Sequence, residues 1–186
     1  MSKVIVESLV YHLSGKAYES RLVYEPGALG RPGLVMAPNW MGIGEGAERI
    51  AKEVAEKGYV VLIADLYGQS VRPSNADEAG AAMMPLKNDR GELRKRMGEA
   101  LAQLLGQSKA LLEPGKVATF GFCFGGCCAL GWPVPVPTCV RRCRSTARWT
   151  RRTLKMPSTS RARCWCCTVP PTRWCRKSSC RRLRRR

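Results

Sequence analysis

The sequence predicts an α/β fold for its first 130 residues, and three observations carry that prediction. Short apolar, β-branched runs alternate with stretches whose apolar residues recur at helical spacing. Tyr59 to Leu66 (YVVLIADL) is continuously apolar up to its aspartate, as a parallel strand covered on both faces requires. A third run, Val117 to Phe122, enters the glycine-rich GFCFGG of Gly121 to Gly126 and is followed by another helical stretch. Strands separated by helices imply crossover connections in a mostly parallel sheet.

The elements follow in order. Val4 to Leu13 and Tyr18 to Tyr24 flank Ser14, Gly15 and Lys16, which predicts an opening antiparallel hairpin. Pro32 to Ala37 (PGLVMA) is a short buried strand. Ala47 to Lys57 sets Ile50 and Val54 on one helical face, pairs Glu53 with Lys57, and stops at Gly58. Asn75 is placed to cap a helix running through Met84. Leu93, Met97, Leu101 and Leu104 line one face of the next helix. Cys127 onward begins another. The Val117 to Phe122 strand is expected to lie beside an open sheet edge.

Composition changes abruptly at Gly131. Residues 1–130 hold 15 Lys and Arg against 14 Asp and Glu, a net charge of 15 − 14 = +1, whereas residues 131–186 hold 17 Lys and Arg and no acid. The tail also carries seven of the ten cysteines and four of the five tryptophans. The whole-chain charge of +18 is therefore a property of the tail and not of one basic domain. The two parts are read as a folded α/β domain, 1–130, and an Arg/Cys/Trp-rich tail, 131–186, that is not natively folded. Met1, Ser2 and Lys3 lead directly into an alternating strand, without the apolar core of a signal peptide, and no run reaches the roughly 18 apolar residues of a membrane span. The expectation is a cytoplasmic protein with no membrane partner, in which Cys123, Cys127 and Cys128 are reduced thiols.

GFCFGG carries the chemistry. A strand before it and a helix after it make the context of a nucleophile elbow, a sharp turn that projects a side chain above the sheet. Cys123 occupies that position. Gly121 and Gly125 leave room around the turn, and Gly126 lets the helix approach the sheet. The helix N-terminus favours thiolate, the form that attacks a carbonyl carbon. The same pattern also suits a buried cysteine in a glycine-rich turn that cradles a phosphate.

Three motifs in order, APNWMGIGEG at Ala37 to Gly46, GYVVLIADLYG at Gly58 to Gly68, and GFCFGG, resemble the dienelactone hydrolase family of α/β-hydrolases. The resemblance covers nearly all of residues 1–130. It implies an α/β-hydrolase fold, a mostly parallel sheet with helices on both faces, whose C-terminal part this chain lacks. It implies hydrolysis of a small-molecule lactone or ester through an acyl-enzyme on Cys123, with no cofactor and no metal. The backbone amides of Phe124 and Trp40 would form the oxyanion hole, and Asn39 and Met41, beside Trp40, would line the substrate pocket. The family's best-known member has a glutamate where this chain has Asn39. Asp and His partners of the nucleophile are implied later in the chain.

Those partners are absent. The single histidine is His12, in the opening hairpin, and no carboxylate follows Glu113. Asp65 and Asp89 precede the cysteine, whereas the fold orders its triad as nucleophile, acid, histidine. A frameshift accounts for the loss. Adjacent tail residues fix codons one base upstream: Trp149 with Thr150 forces Asp, Cys164 with Trp165 forces Leu, Trp165 with Cys166 forces Val, and Cys166 with Cys167 forces Leu. With GC-rich choices elsewhere, the segment after Gly131 reads LARSGADVRAAVSFHGALDTPNAEDA, and Ala162 onward reads GPVLVLHGAADPLVPKEQL. Loss of one base near the Gly131 codon produces the whole tail. The chain as it stands is then expected to be inactive.

Three other readings of the tail compete. A basic arm could bind nucleic-acid phosphates while Trp149, Trp165 and Trp174 stack on bases, but its arginines show no helical face and no known module. Cys164, Cys166 and Cys167 have zinc-ligand chemistry, yet CxCC lacks a matching second pair. A disulfide framework conflicts with the missing export signal. A non-catalytic α/β scaffold is the remaining alternative, and the substrate's identity and the oligomeric state are not legible.

Overall fold

The computed structural model describes residues 4–27, 29–130 and 141–145, the last of these as backbone. Strands β1 (Ile5–Leu13) and β2 (Lys16–Tyr24) form the expected hairpin, paired from Ile5↔Tyr24 to Leu13↔Lys16. Ser14 and Gly15 turn it with φ of 53° and 76°, the paired left-handed conformations that match the twist of a two-residue hairpin. Strands β3 (Arg31–Ala37), β4 (Val60–Ile63), β5 (Leu112–Phe122) and β6 (Arg141–Ser145) complete one six-stranded sheet in the order β1-β2-β4-β3-β5-β6. β4, β3, β5 and β6 run parallel, and β2 joins β4 antiparallel.

The helices are α1 (Glu45–Ala55), α2 (Ala76–Asn88), α3 (Arg90–Gly106) and α4 (Phe124–Leu130). Each face of the sheet has its own core, because strand side chains alternate. Val60, Leu62, Val35, Ala37 and Val117 pack with Leu86, Leu93, Met97, Leu101, Leu104 and Phe124 on one side. Val61, Ile63 and Met36 pack with Ala51 and Ala55 of α1 on the other, joined by Phe120 and Phe122. This two-sided burial explains why β4 reads as an unbroken apolar run.

Several boundaries differ from the sequence expectation. α1 begins at Glu45 and not Ala47, with Gly44 as its extended N-cap. α2 has its predicted cap, Asn75 Oδ1 accepting from Glu78 N at 3.0 Å, but continues past Met84 through Pro85 to Asn88. α4 begins at Phe124, directly after Cys123, and not at Cys127. The edge beside β5 is not open either: β6 pairs with it in parallel from Ala118↔Arg141 to Phe122↔Ser145. Backbone ladders are indifferent to side-chain identity in their hydrogen bonds, so an arginine-rich segment can take that place. Cys164, Cys166, Cys167 and the tail tryptophans lie outside the described residues, as does most of the tail. Among the described residues no helix is long and apolar enough to cross a membrane.

Candidate functional site

β5 ends at Phe122, and Cys123 turns the chain into α4 with a φ of 54°. Only two described non-glycine residues adopt positive φ, and the other is the hairpin's Ser14. A left-handed cysteine costs of order 1 kcal/mol or more and persists only where its surroundings determine it. They do so here through glycine. A Cβ on Gly121 would collide with the Gly125 backbone, and one on Gly125 would collide with the carbonyl oxygens of Ala37 and Pro38. The elbow is thus pressed against the end of β3, and Gly126 N closes it onto Cys123 O at 3.1 Å. The Cys123 side chain is exposed.

Cys127 and Cys128 differ from it. Cys127 is half-buried, its Sγ directed at Cys123 O (3.7 Å). Cys128 is buried with Sγ 3.2 Å from Phe124 O; burial pushes its thiol up to about 12, the charge of Cys127 pushes the same way, and Arg90 opposes them.

The second half of the site is the loop after β3. Strands β3 and β5 are paired at Ala37↔Gly121, so Trp40 and Phe124 each lie three residues beyond a paired position, at the carboxyl ends of neighbouring strands. Asn39 is exposed, and Trp40 and Met41 are half-buried. Asn39 folds the loop on itself: its Oδ1 accepts from Met41 N at 2.9 Å, and its backbone oxygen accepts from Gly42 N at 3.0 Å. Phe124 is buried in the core, its ring anchoring the start of α4. The residues named from the sequence, Cys123, Phe124, Trp40, Asn39 and Met41, therefore lie just beyond the carboxyl ends of two neighbouring strands, at one end of the sheet.

Sequence reasoning missed Tyr67. It stands just after β4, 4% exposed, and its hydroxyl donates to Trp40 O at 2.7 Å. Burial, followed by the charges of Cys128 and Cys123, raises its phenol well above the ordinary value. The position of Tyr67 within ADLYG was visible in the sequence, but nothing local announced its partner.

The remaining titratable groups stand apart. His12 is exposed on β1, four strand spacings from β5, or about 19 Å across the sheet. Asp65 is 2% exposed and fully engaged: it accepts from Glu19 N, Tyr67 N and Gly68 N at 2.9–3.0 Å and from the Arg72 guanidinium at 3.2 Å. Asp89 caps α3 through Glu92 N at 2.9 Å. No group of three or more His, Cys, Asp or Glu among the described residues is arranged to hold a metal ion.

A mostly parallel sheet with a strained elbow at the carboxyl end of β5, beside the loop that follows β3, defines the α/β-hydrolase fold. The profile of the dienelactone hydrolase family matches residues 20–138, and the chain belongs to that family. Among solved structures, the chain is similar to m3DLH, with 27% identity over 69% of this chain and a TM-score of 0.63. It is similar to a dienelactone hydrolase-like promiscuous phosphotriesterase from metagenomic libraries, at 28% identity, 69% coverage and a TM-score of 0.63. A dienelactone hydrolase from Anabaena variabilis, at 22% identity over 68% of this chain and 56% of that one, with a TM-score of 0.51, shares the fold. The chain spans 53% of the length of each of the first two structures. No curated protein sequence matches it.

Proposed function

We propose that the parent protein of this chain hydrolyses lactone or ester bonds and that Cys123 is its nucleophile. The observation that carries the proposal is the left-handed backbone of Cys123, held with its thiol exposed at the strand-to-helix junction. Its thiolate attacks the carbonyl carbon, forming a C–S bond and a tetrahedral oxyanion. The Phe124 and Trp40 amides stabilise that oxyanion, with Asn39 and Met41 bordering the acyl group. Collapse expels the alkoxide, which leaves as alcohol after taking up a proton, and a thioester remains on Cys123.

Water must then cleave that thioester, a step that calls for a general base near the elbow. The chain's one histidine is on the far edge strand, and Asp65 is engaged in loop hydrogen bonds. The chain as it stands therefore acylates once and does not turn over. The cause we propose is the shifted frame after Gly131. Support comes from the forced codons, which spell an apolar Leu-Val-Leu run across Cys164 to Cys167.

Excess p-nitrophenyl acetate tests this reading. About one equivalent of p-nitrophenol is expected in a single phase, with the acetyl group mapped to Cys123 by mass spectrometry and no release from Cys123→Ala. Steady release by the unaltered chain, or undiminished release by Cys123→Ala, overturns it.

A further inference from the structure

The loop that carries Trp40 is held from below by one buried phenol, and we propose that Tyr67 is a positioning residue that sets the aim of the Trp40 amide. The inference rests on the oxyanion-hole role given to Trp40 above. In the loop, Met41 N and Gly42 N both donate back to Asn39, and Trp40 O accepts from Tyr67 Oη at 2.7 Å. The Trp40 N–H takes part in none of these bonds. Its direction is fixed by the groups on either side of it, and the only side chain from another element among those bonds is Tyr67.

Tyr67 is itself rigid for stated reasons. Asp65 Oδ1 accepts from Tyr67 N at 3.0 Å and from Gly68 N at 2.9 Å, while Lys16 Nζ donates to Tyr67 O. The same carboxylate is tied to β2 through Glu19 N, and Asp65 N donates to Ser20 Oγ at 3.0 Å. The ring then fills the space beneath Gly42, whose φ is 77° and whose missing Cβ would lie 3.1 Å from the ring. A buried carboxylate thus fixes a turn, the turn fixes a ring, and the ring fixes a peptide of the loop. An oxyanion hole depends on such support because its donors lower a barrier only when already aimed at the developing charge.

Two reactions of Cys123 separate this role from a general effect on the fold. Acylation by p-nitrophenyl acetate passes through an oxyanion, whereas alkylation by iodoacetamide displaces iodide and forms none. Both rates are measured on the full chain, with the modified residue located by mass spectrometry, and their ratio is compared with that of N-acetylcysteine. In the unaltered chain the ratio is expected to exceed that of the free thiol. Tyr67→Phe, which keeps the ring, is expected to lower acylation about tenfold, less than the loss of a whole oxyanion donor, and to leave alkylation unchanged. Replacing Tyr67 with 4-aminophenylalanine, which retains a para donor, restores much of the ratio. An unchanged ratio in Tyr67→Phe overturns the proposal, and so does a parallel fall of both rates, which marks a purely structural role. Should the unaltered chain match N-acetylcysteine, the oxyanion hole itself fails and the role of Tyr67 with it.

Discussion

The three cysteines of GFCFGGCC occupy three environments within six residues, and their chemistry diverges accordingly. Cys123 is exposed on a strained turn, while Cys128 is buried and its thiol pushed up to about 12. Burial raises Tyr11 to about 12 as well, against a hydrogen bond with Ser20 that pulls it down. Both groups are neutral acids in the folded state and ionise more readily once exposed. Their contribution to stability is therefore full below about pH 9, the ordinary thiol value, and is lost as the pH climbs toward 12. Urea midpoints measured at intervals from pH 8 to 11 should be level at first and then fall, with a shallower fall in Cys128→Ala. Equal slopes in the two proteins would remove the buried thiol from the account. A second residue-scale consequence concerns Gly125. Its added methyl would meet two backbone carbonyls that cannot rotate away, so Gly125→Ala should cost about 1–3 kcal/mol. A denaturation midpoint equal to that of the unaltered chain would contradict the close approach of the elbow to β3.

At the scale of elements, the helix that opens at Asn75 shows how local chemistry sets structure. Asn75 Oδ1 accepts from Glu78 N, and Glu78 reaches back to Ser74 N at 2.8 Å, so two otherwise unpaired amides are satisfied at once. Asn75→Ala should cost about 1 kcal/mol, read as a shift in the urea midpoint; no shift would mean that tertiary packing alone holds the helix. Caps, hairpin turns and periodicity are local, which is why β1, β2, α2 and α3 are legible in the sequence. The boundaries that were missed have non-local causes. Pro85 lacks an amide hydrogen, yet α2 continues to Asn88 because Leu86 is buried against α3 residues. β5 begins at Leu112 despite Pro114 and Gly115, since Arg31 pairs with Leu112 before the register shifts ahead of Gly33. The start of α4 was hidden by Gly125 and Gly126, the first of which lies against the end of β3. The elbow was legible because its glycines flag a backbone constraint. Tyr67 was not, because its partner lies 27 residues away and only the fold brings them together.

At the scale of the whole molecule, the chain divides where its chemistry divides. The first 130 residues carry a net +1 and the remaining 56 carry +17, obtained as 186 − 130 and 18 − 1, so the high isoelectric point describes one end only. That end contributes β6 to the sheet beside β5. An α/β-hydrolase of this kind needs its acid and histidine beyond the elbow, and after Gly131 this chain has neither. With GC-rich choices at the codons that are not forced, the proposed frame reads SFHG, VLVLHG and an aspartate in DP, in the order a strand, a second strand and the acid would be expected. Restoring one base near the Gly131 codon should therefore give a longer protein with a later histidine and without the tail's excess of arginine. That protein should release p-nitrophenol continuously, because a base near Cys123 can activate water against the thioester. Cys123→Ala in the restored protein should lose nearly all of that rate, leaving the residue that oxyanion-hole and binding effects alone sustain. Retention of the rate in that variant would remove Cys123 from the mechanism, and a stop codon soon after the restored base would remove the frameshift. The two outcomes are separable, since the first is read from kinetics and the second from the DNA under Trp149, Thr150 and Cys164 to Cys167.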